Sequence, residues 1–258
     1  MADCGELVRD ICLFLSEYAA ALIAGGATCI RVEKNVKRMS DVFGVVTEMR
    51  IMPAHISMYV RNTQNTESFS NIVRVGKTGI SFDINTRLSK LSWKVADRKV
   101  NFKEALQEFE EIKNTKPANK YLVLLLVSIA NMSFCRLFGG DGCSMFIVFV
   151  ATMAGFRLRQ VLLANHVDVR FVFLCCSFIS SLIGSSAQFL CWGDTPDIAL
   201  GSSILYLIPG IPYINSVSDM FDGHYLCSFS RFMDAIFLTA SLSFGFCMSL
   251  LLTGMSLF

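Results

Sequence analysis

From residue 120 onward the 139 remaining positions carry only six Lys or Arg and seven Asp or Glu, and this scarcity of charge limits what the chain can fold into. Uncharged apolar runs of about 20 residues rise far enough to cross a hydrocarbon core about 30 Å thick, where lipid offers unpaired backbone groups no partners. The first 119 residues hold the other 17 of 23 basic and 14 of 21 acidic side chains. The mean hydropathy of +0.51 therefore averages two unlike parts. The expected organisation is a small water-soluble α+β domain over 1–119 followed by an α-helical polytopic membrane domain over 120–258.

Five transmembrane helices are expected in the second part, at about 120–138, 142–163, 171–193, 198–218 and 234–258. The second is the weakest, because Arg157 and Arg159 make its end basic, and it is expected to be short or tilted. Lys113, Lys116 and Lys120 precede the first span, Arg157, Arg159 and Arg170 flank the second loop, and Arg231 precedes the fifth. Under the positive-inside rule these place the amino terminus in the cytoplasm and the carboxy terminus outside. Residues at four-residue spacing, Ser180 and Gly184, Ser181 and Ser185, then Ser241, Gly245 and Ser249, predict close helix packing.

In the first part, Leu7, Ile11, Leu15, Tyr18 and Leu22 share a helical face within about 6–24, ended by Gly25 and Gly26. A second helix over about 27–43 ends at Gly44. Alternation in "VVTEMRIM", "HISMYVRN" and "NIVRVG" predicts three strands, with Pro53 between the first two. Helices over about 84–99 and 102–113 follow, the latter opened by an Asn101 and Glu104 capping box.

Several functional classes are excluded. A net charge of +2, with no Gly-rich phosphate loop, gives no nucleic-acid surface. The ten cysteines are scattered and read as reduced packing thiols, and the three histidines have no metal-ligand spacing, so neither metal nor cofactor is expected. The start "MADCGELVRD" lacks the basic start and small-residue cleavage site of a signal peptide, so the first part is expected to stay in the cytoplasm.

Two stretches, "AGGATCIRVEKNVKRM" and "IPGIPYINSVSDMFDGHY", together with "FGGD" after the first span, resemble the threonine/serine exporter family, specifically its amino-terminal, YjjP-type portion. Gly25, Gly26, Ala27, Arg31, Val32 and Glu33 match one family motif; Pro209, Gly210, Pro212, Asn215, Asp219 and Gly223 match the other. The resemblance implies a non-enzymatic exporter of small amino acids or dicarboxylates such as threonine, serine or succinate, driven by the proton gradient across a bacterial plasma (inner) membrane. Fused members continue into further membrane helices, so it also implies a separate, small YjjB-like membrane subunit and a homo- or hetero-oligomer.

Within that frame Pro209, Gly210 and Pro212 are expected to break span four. Broken spans line substrate sites in transporters, and Asp219 is the candidate coupling acid, because desolvation beside a cavity raises a carboxyl pKa. The alternative is that the span simply stops and 215–231 is a solvated loop. Asp141 is a candidate outer-gate residue or a turn aspartate, and Arg157 and Arg159 are candidate inner-mouth contacts for a carboxylate or interface anchors. Arg31 and Glu33 read as substrate contacts, or as members of a structural ion pair or subunit contact. Two other functions stay open: a non-transporting regulatory or assembly subunit, and an intramembrane hydrolase using Ser216 or Ser218 with His224 and Asp219 or Asp222.

Overall fold

The computed structural model describes residues 2–64, 67–76, 79–115, 118–189 and 193–254. The ends of the expected third and fifth spans, 190–192 and 255–258, lie outside the described residues. Helices α1 (Ala2–Ala24) and α2 (Cys29–Phe43) precede strands β1 (Val45–Ile51), β2 (His55–Asn62) and β3 (Ser68–Arg74), then α3 (Phe82–Ala96) and α4 (Phe102–Lys113). Six more helices follow: α5 (Lys120–Leu137), α6 (Gly142–Ala164), α7 (Val169–Phe189), α8 (Pro196–Ser202), α9 (Gly210–Phe221) and α10 (Tyr225–Thr253). A 3-10 turn, Leu205–Leu207, lies between α8 and α9.

The chain forms two compact units. Met1–Lys116 with Ile211–Met233 make the first, and Pro117–Gly210 with Asp234–Phe258 make the second. In the first unit the antiparallel sheet runs β1-β2-β3, with Val45 opposite Asn62 and His55 opposite Arg74. Ile56, Met58 and Val60 point into the core at strand period, and α1 lies against β2 and β3. Helix α1 buries Ile11, Leu15, Tyr18 and Leu22 as its periodicity requires, and the Tyr18 hydroxyl donates to the Leu88 carbonyl at 2.8 Å. Leu7 departs from that face and is 48% exposed; the preceding contact is made by Val8. Gly44 caps α2 at φ +67°, a left-handed conformation that favours glycine. The Asn101 side chain accepts from the Glu104 amide while the Glu104 carboxylate accepts from the Asn101 amide, completing the capping box.

Helices α5, α6, α7 and α10 have the length and apolarity needed to cross a membrane, and α8 with α9 meets the same test only as a pair broken between them. The expected fourth helix is thus two pieces: α8 ends at Ser202, the chain passes through the 3-10 turn and Ile208–Pro209, and it re-enters helix at Gly210. The fifth begins at Tyr225, nine residues before its expected start. Pro212 sits in the first turn of α9, where a missing backbone donor is tolerated. Gly184 lets α7 approach Ser203 and Leu200, and Gly245 lets α10 approach the Leu174 carbonyl. The Ser177 hydroxyl then donates across to the Leu242 carbonyl at 2.7 Å.

Gly155 of α6 is the tightest of these close approaches, since a Cβ there would collide with the Ser180 and Tyr206 hydroxyls. Gly155→Ala is expected to cost about 1–3 kcal/mol through overpacking, read as a lowered unfolding midpoint of the detergent-purified protein. Gly201→Ala, with open space around its Cβ, serves as the neutral control. Equal midpoints for the two variants would contradict the packing.

Candidate functional site

Four of the five backbone positions from 25 to 29, just after α1, are held by side chains from far along the chain. The Gly25 carbonyl accepts from Asn85 Nδ2 at 2.8 Å, the Gly26 carbonyl from Asn215 Nδ2 at 2.8 Å, and the Ala27 carbonyl from Arg231 Nη2 at 2.8 Å. The Cys29 amide, first in α2, donates to Asp219 Oδ1 at 2.8 Å. Gly26 takes φ +88° to make the turn that presents these groups, with Ile80 packed where a side chain would stand. The two glycine- and proline-containing stretches singled out in the sequence therefore meet in the first unit, as the turn before α2 and the body of α9.

Asp219 has no exposed surface, and Arg231, with 18% of its side chain exposed, stands 3.2 Å from Asp219 Oδ2. The first turn of a helix carries unpaired amides and partial positive charge, so the carboxylate receives favourable charge from both sides. The ion pair is close but not aligned as a hydrogen bond, and Asp219 Oδ2 and Arg231 Nη1 are buried without a directed partner. Residues 215–231, for which a solvated loop was the alternative, are helix α9, a tight turn with Gly223 at φ +84°, and the start of α10.

The surroundings extend the cluster. Glu33 Oε1 lies 3.4 Å from His224 Nε2, while Arg31 makes no ion pair among the described residues. Cys29 and Cys227 are buried beside the pair, and the Cys227 Sγ reaches the Ile51 carbonyl at 3.4 Å. A hydrogen bond with Cys227, burial and the Asp219 carboxylate together raise the pKa of the Cys29 thiol, keeping it protonated and unreactive. The Ser216 hydroxyl bonds to Ser228, at 2.8 Å to its carbonyl, and His224 faces Glu33, so Ser216 and His224 do not pair. A cleft of about 380 Å3 opens beside His224, lined also by Glu33 and Arg50.

The remaining candidates lie in the second unit. Asp141 caps α6, accepting from the Ser144 amide at 2.9 Å and the Thr195 hydroxyl at 3.0 Å through Oδ1, and from the Asp194 amide at 3.2 Å through Oδ2. It thereby fastens the turn at 193–195 to the start of α6. Arg157 is exposed, with its guanidinium 5.4 Å from the Tyr121 ring centre. Arg159 turns to other neighbours: its guanidinium stands 5.6 Å from both the Phe156 and Phe173 rings, and its buried Nε has no hydrogen-bond partner. Pro209 and Gly210 contribute the helix break.

Sequence reasoning used Arg231 only as a topological marker and passed over Asn85, Cys29 and Cys227. Arg231 left one signal: it is one of only six basic residues after position 119 and follows Asp219 by 12 positions.

Comparison with known proteins gives consistent results. Residues 13–253 match the family model described as "Putative threonine/serine exporter". The chain is 24% identical over 249 residues to the "Probable succinate transporter subunit YjjP" of Klebsiella aerogenes, covering 96% of this chain and 95% of the relative. It is 29% identical over 178 residues, 69% of each chain, to the Escherichia coli protein of the same description. It is 20% identical over 244 residues to the "Probable threonine/serine exporter" of Mycobacterium tuberculosis, covering 94% of this chain and 46% of that relative. No solved structure gives a significant match.

Two predictions arise from these contacts. Arg231→Met leaves a buried carboxylate unpaired and is expected to cost about 3 kcal/mol in denaturant unfolding, whereas Asp219→Leu with Arg231→Met recovers most of that loss. An unpaired single variant as stable as the native chain would contradict the pair. The Ser144 hydroxyl and amide, aided by Thr195 and the Asp194 amide, lower the Asp141 carboxyl from 3.8 to about 2. Its stabilising effect is therefore complete above about pH 4 and is lost as pH falls through about 2. The unfolding midpoint should fall across that window, and Asp141→Asn should remove this component of the fall.

Proposed function

This chain belongs to the threonine/serine exporter family, and on that premise we propose that it is one subunit of an exporter of small amino acids or dicarboxylates, with Asp219 and Arg231 as its coupling element. The observation that carries the reading is a fully buried carboxylate whose second oxygen has an arginine beside it but no directed donor. A proton arriving at that oxygen removes half of the ion pair. It weakens the hold on Arg231 and on the first turn of α2 together, which gives a proton gradient a place to act on structure. A substrate carboxylate can also compete for the guanidinium.

The four to five apolar helices support a multi-pass membrane location, and the lysine and arginine distribution supports a cytoplasmic amino terminus, an outside carboxy terminus and a bacterial inner membrane. The word "subunit" in the relatives' descriptions supports a partner, for which a small YjjB-like membrane protein is our candidate. Arg159, held between two phenyl rings without a carboxylate partner, is our candidate for receiving the carboxylate of an anionic substrate; Asp141 at the far end of α6 is the candidate outer-gate residue. The relatives are a transporter subunit and an exporter, and with Ser216 turned to Ser228 a hydrolase has neither relatives nor geometry behind it.

Vesicles reconstituted with this chain and its small partner are expected to move labelled succinate, serine or threonine under an imposed proton gradient. The stable Asp219→Leu, Arg231→Met pair should assemble normally and move none. Transport at the native rate by that pair would remove Asp219 and Arg231 from the mechanism. An intact assembly that moves no solute would favour an assembly role over transport.

A further inference from the structure

Arg31 of the first motif plays no part in the Asp219 cluster, and its surroundings point elsewhere. With Lys34 and Arg38 it stands at positions i, i+3 and i+7 of α2, a spacing that sets all three on one helical face. Helix α3 presents Ser89, Lys90 and Trp93 opposite them, and the two helices enclose a groove of about 520 Å3, within the range of small-molecule sites.

Four cations line this groove and no carboxylate does. Asp83 pairs with Arg87 at 3.0 Å, Glu108 with Lys94 at 2.6 Å and Glu33 with His224 at 3.4 Å, while Asp41 of α2 lines the neighbouring cleft and not this groove. Arg31, Lys34 and Lys90 form no ion pair with any described residue. Arg38 is fixed in place, with its guanidinium 3.7 Å from the Trp93 ring centre and Nη1 donating to Asn35 Oδ1 at 3.0 Å and Ser92 Oγ at 2.6 Å. Four like charges in one concavity raise a positive potential that only an anion relieves, and a pre-ordered guanidinium lowers the ordering cost of binding one.

We propose that this groove is a binding site for a small ligand bearing phosphate groups. Phosphate oxygens accept from lysine as a point charge and from arginine as a fork, and a ligand with two phosphates can engage α2 and α3 at once. Thr28 and Ile30, which flank Cys29, also line the groove, so the occupant sits against the helix turn whose amide holds Asp219. The site is independent of what is exported.

Trp93 is 57% exposed and is one of only two tryptophans in the chain, so Trp192→Phe makes it the sole reporter. The full chain in neutral phosphatidylcholine nanodiscs is titrated with inorganic phosphate and with pyrophosphate. In a second arm the nanodiscs contain phosphatidylglycerol. A saturable change in Trp93 fluorescence is expected, tighter for pyrophosphate than for phosphate, and weakened roughly tenfold or more by Lys34→Gln with Lys90→Gln. Lys37→Gln, on α2 but lining a different cleft, should stay within about twofold of the native affinity. A response in the first arm identifies a soluble phosphate ligand; one confined to phosphatidylglycerol identifies a lipid headgroup. No response in either arm, or native affinity after loss of Lys34 and Lys90, overturns the proposal.

Discussion

A carboxylate with no exposed surface has to find its compensating charge inside the protein, and Asp219 finds it in the Cys29 amide and the Arg231 guanidinium. Desolvating a charge costs several kcal/mol, so the groups that offset that cost are fixed relative to it. Arg231 in turn donates to the Ala27 carbonyl, and Asn215 on the preceding turn of α9 donates to the Gly26 carbonyl. One buried charge therefore sets the path of the turn before α2, the seating of α9 and the placement of the first turns of α10. Removing that carboxylate takes a partner from the Cys29 amide and from the Arg231 guanidinium at once.

The second unit treats polarity differently. Its serines and threonines mostly donate to the carbonyl three or four residues back, as Ser128, Thr152 and Ser181 do, and need no partner from another helix. The cross-helix bonds are fewer; among them, Ser177 donates to the Leu242 carbonyl, and Asn131 donates at 2.6 Å to Thr152 and at 3.0 Å to the Ser202 carbonyl, linking α5 with α6 and the end of α8. Large apolar side chains stand outward, including Leu122, Leu125, Leu126 and Ile129 on α5. A surface of that kind suits lipid tails or another membrane helix, and it agrees with membership of an exporter family.

Local chemistry was legible in the sequence wherever local chemistry decides. The strand alternation, the Gly44 cap and the Asn101 capping box all depend on neighbours within a few residues, and the structure carries each of them. The break near Pro209 was legible for the same reason. The helix after it was not, because Gly210 and Pro212 suggested irregular backbone, whereas a first turn accommodates both. The Asp219 cluster joins residues 190 positions apart, a pairing that no period or spacing encodes. Arg231 was read from its charge only as a marker of the cytoplasmic side, yet its guanidinium is turned inward by a carboxylate and a carbonyl.

The central claim is that the Asp219 carboxylate holds the first turn of α2 in place. Hydrogen exchange of the peptide covering residues 27–33, measured by mass spectrometry on the purified protein, tests this most directly. In the native chain the Cys29 amide is expected to exchange slowly, because it donates to a fully buried oxygen at 2.8 Å. In Asp219→Ala that protection should vanish while the peptide covering α4 stays unchanged. Rapid exchange at Cys29 in the native chain, or equal protection in both proteins, would contradict the account.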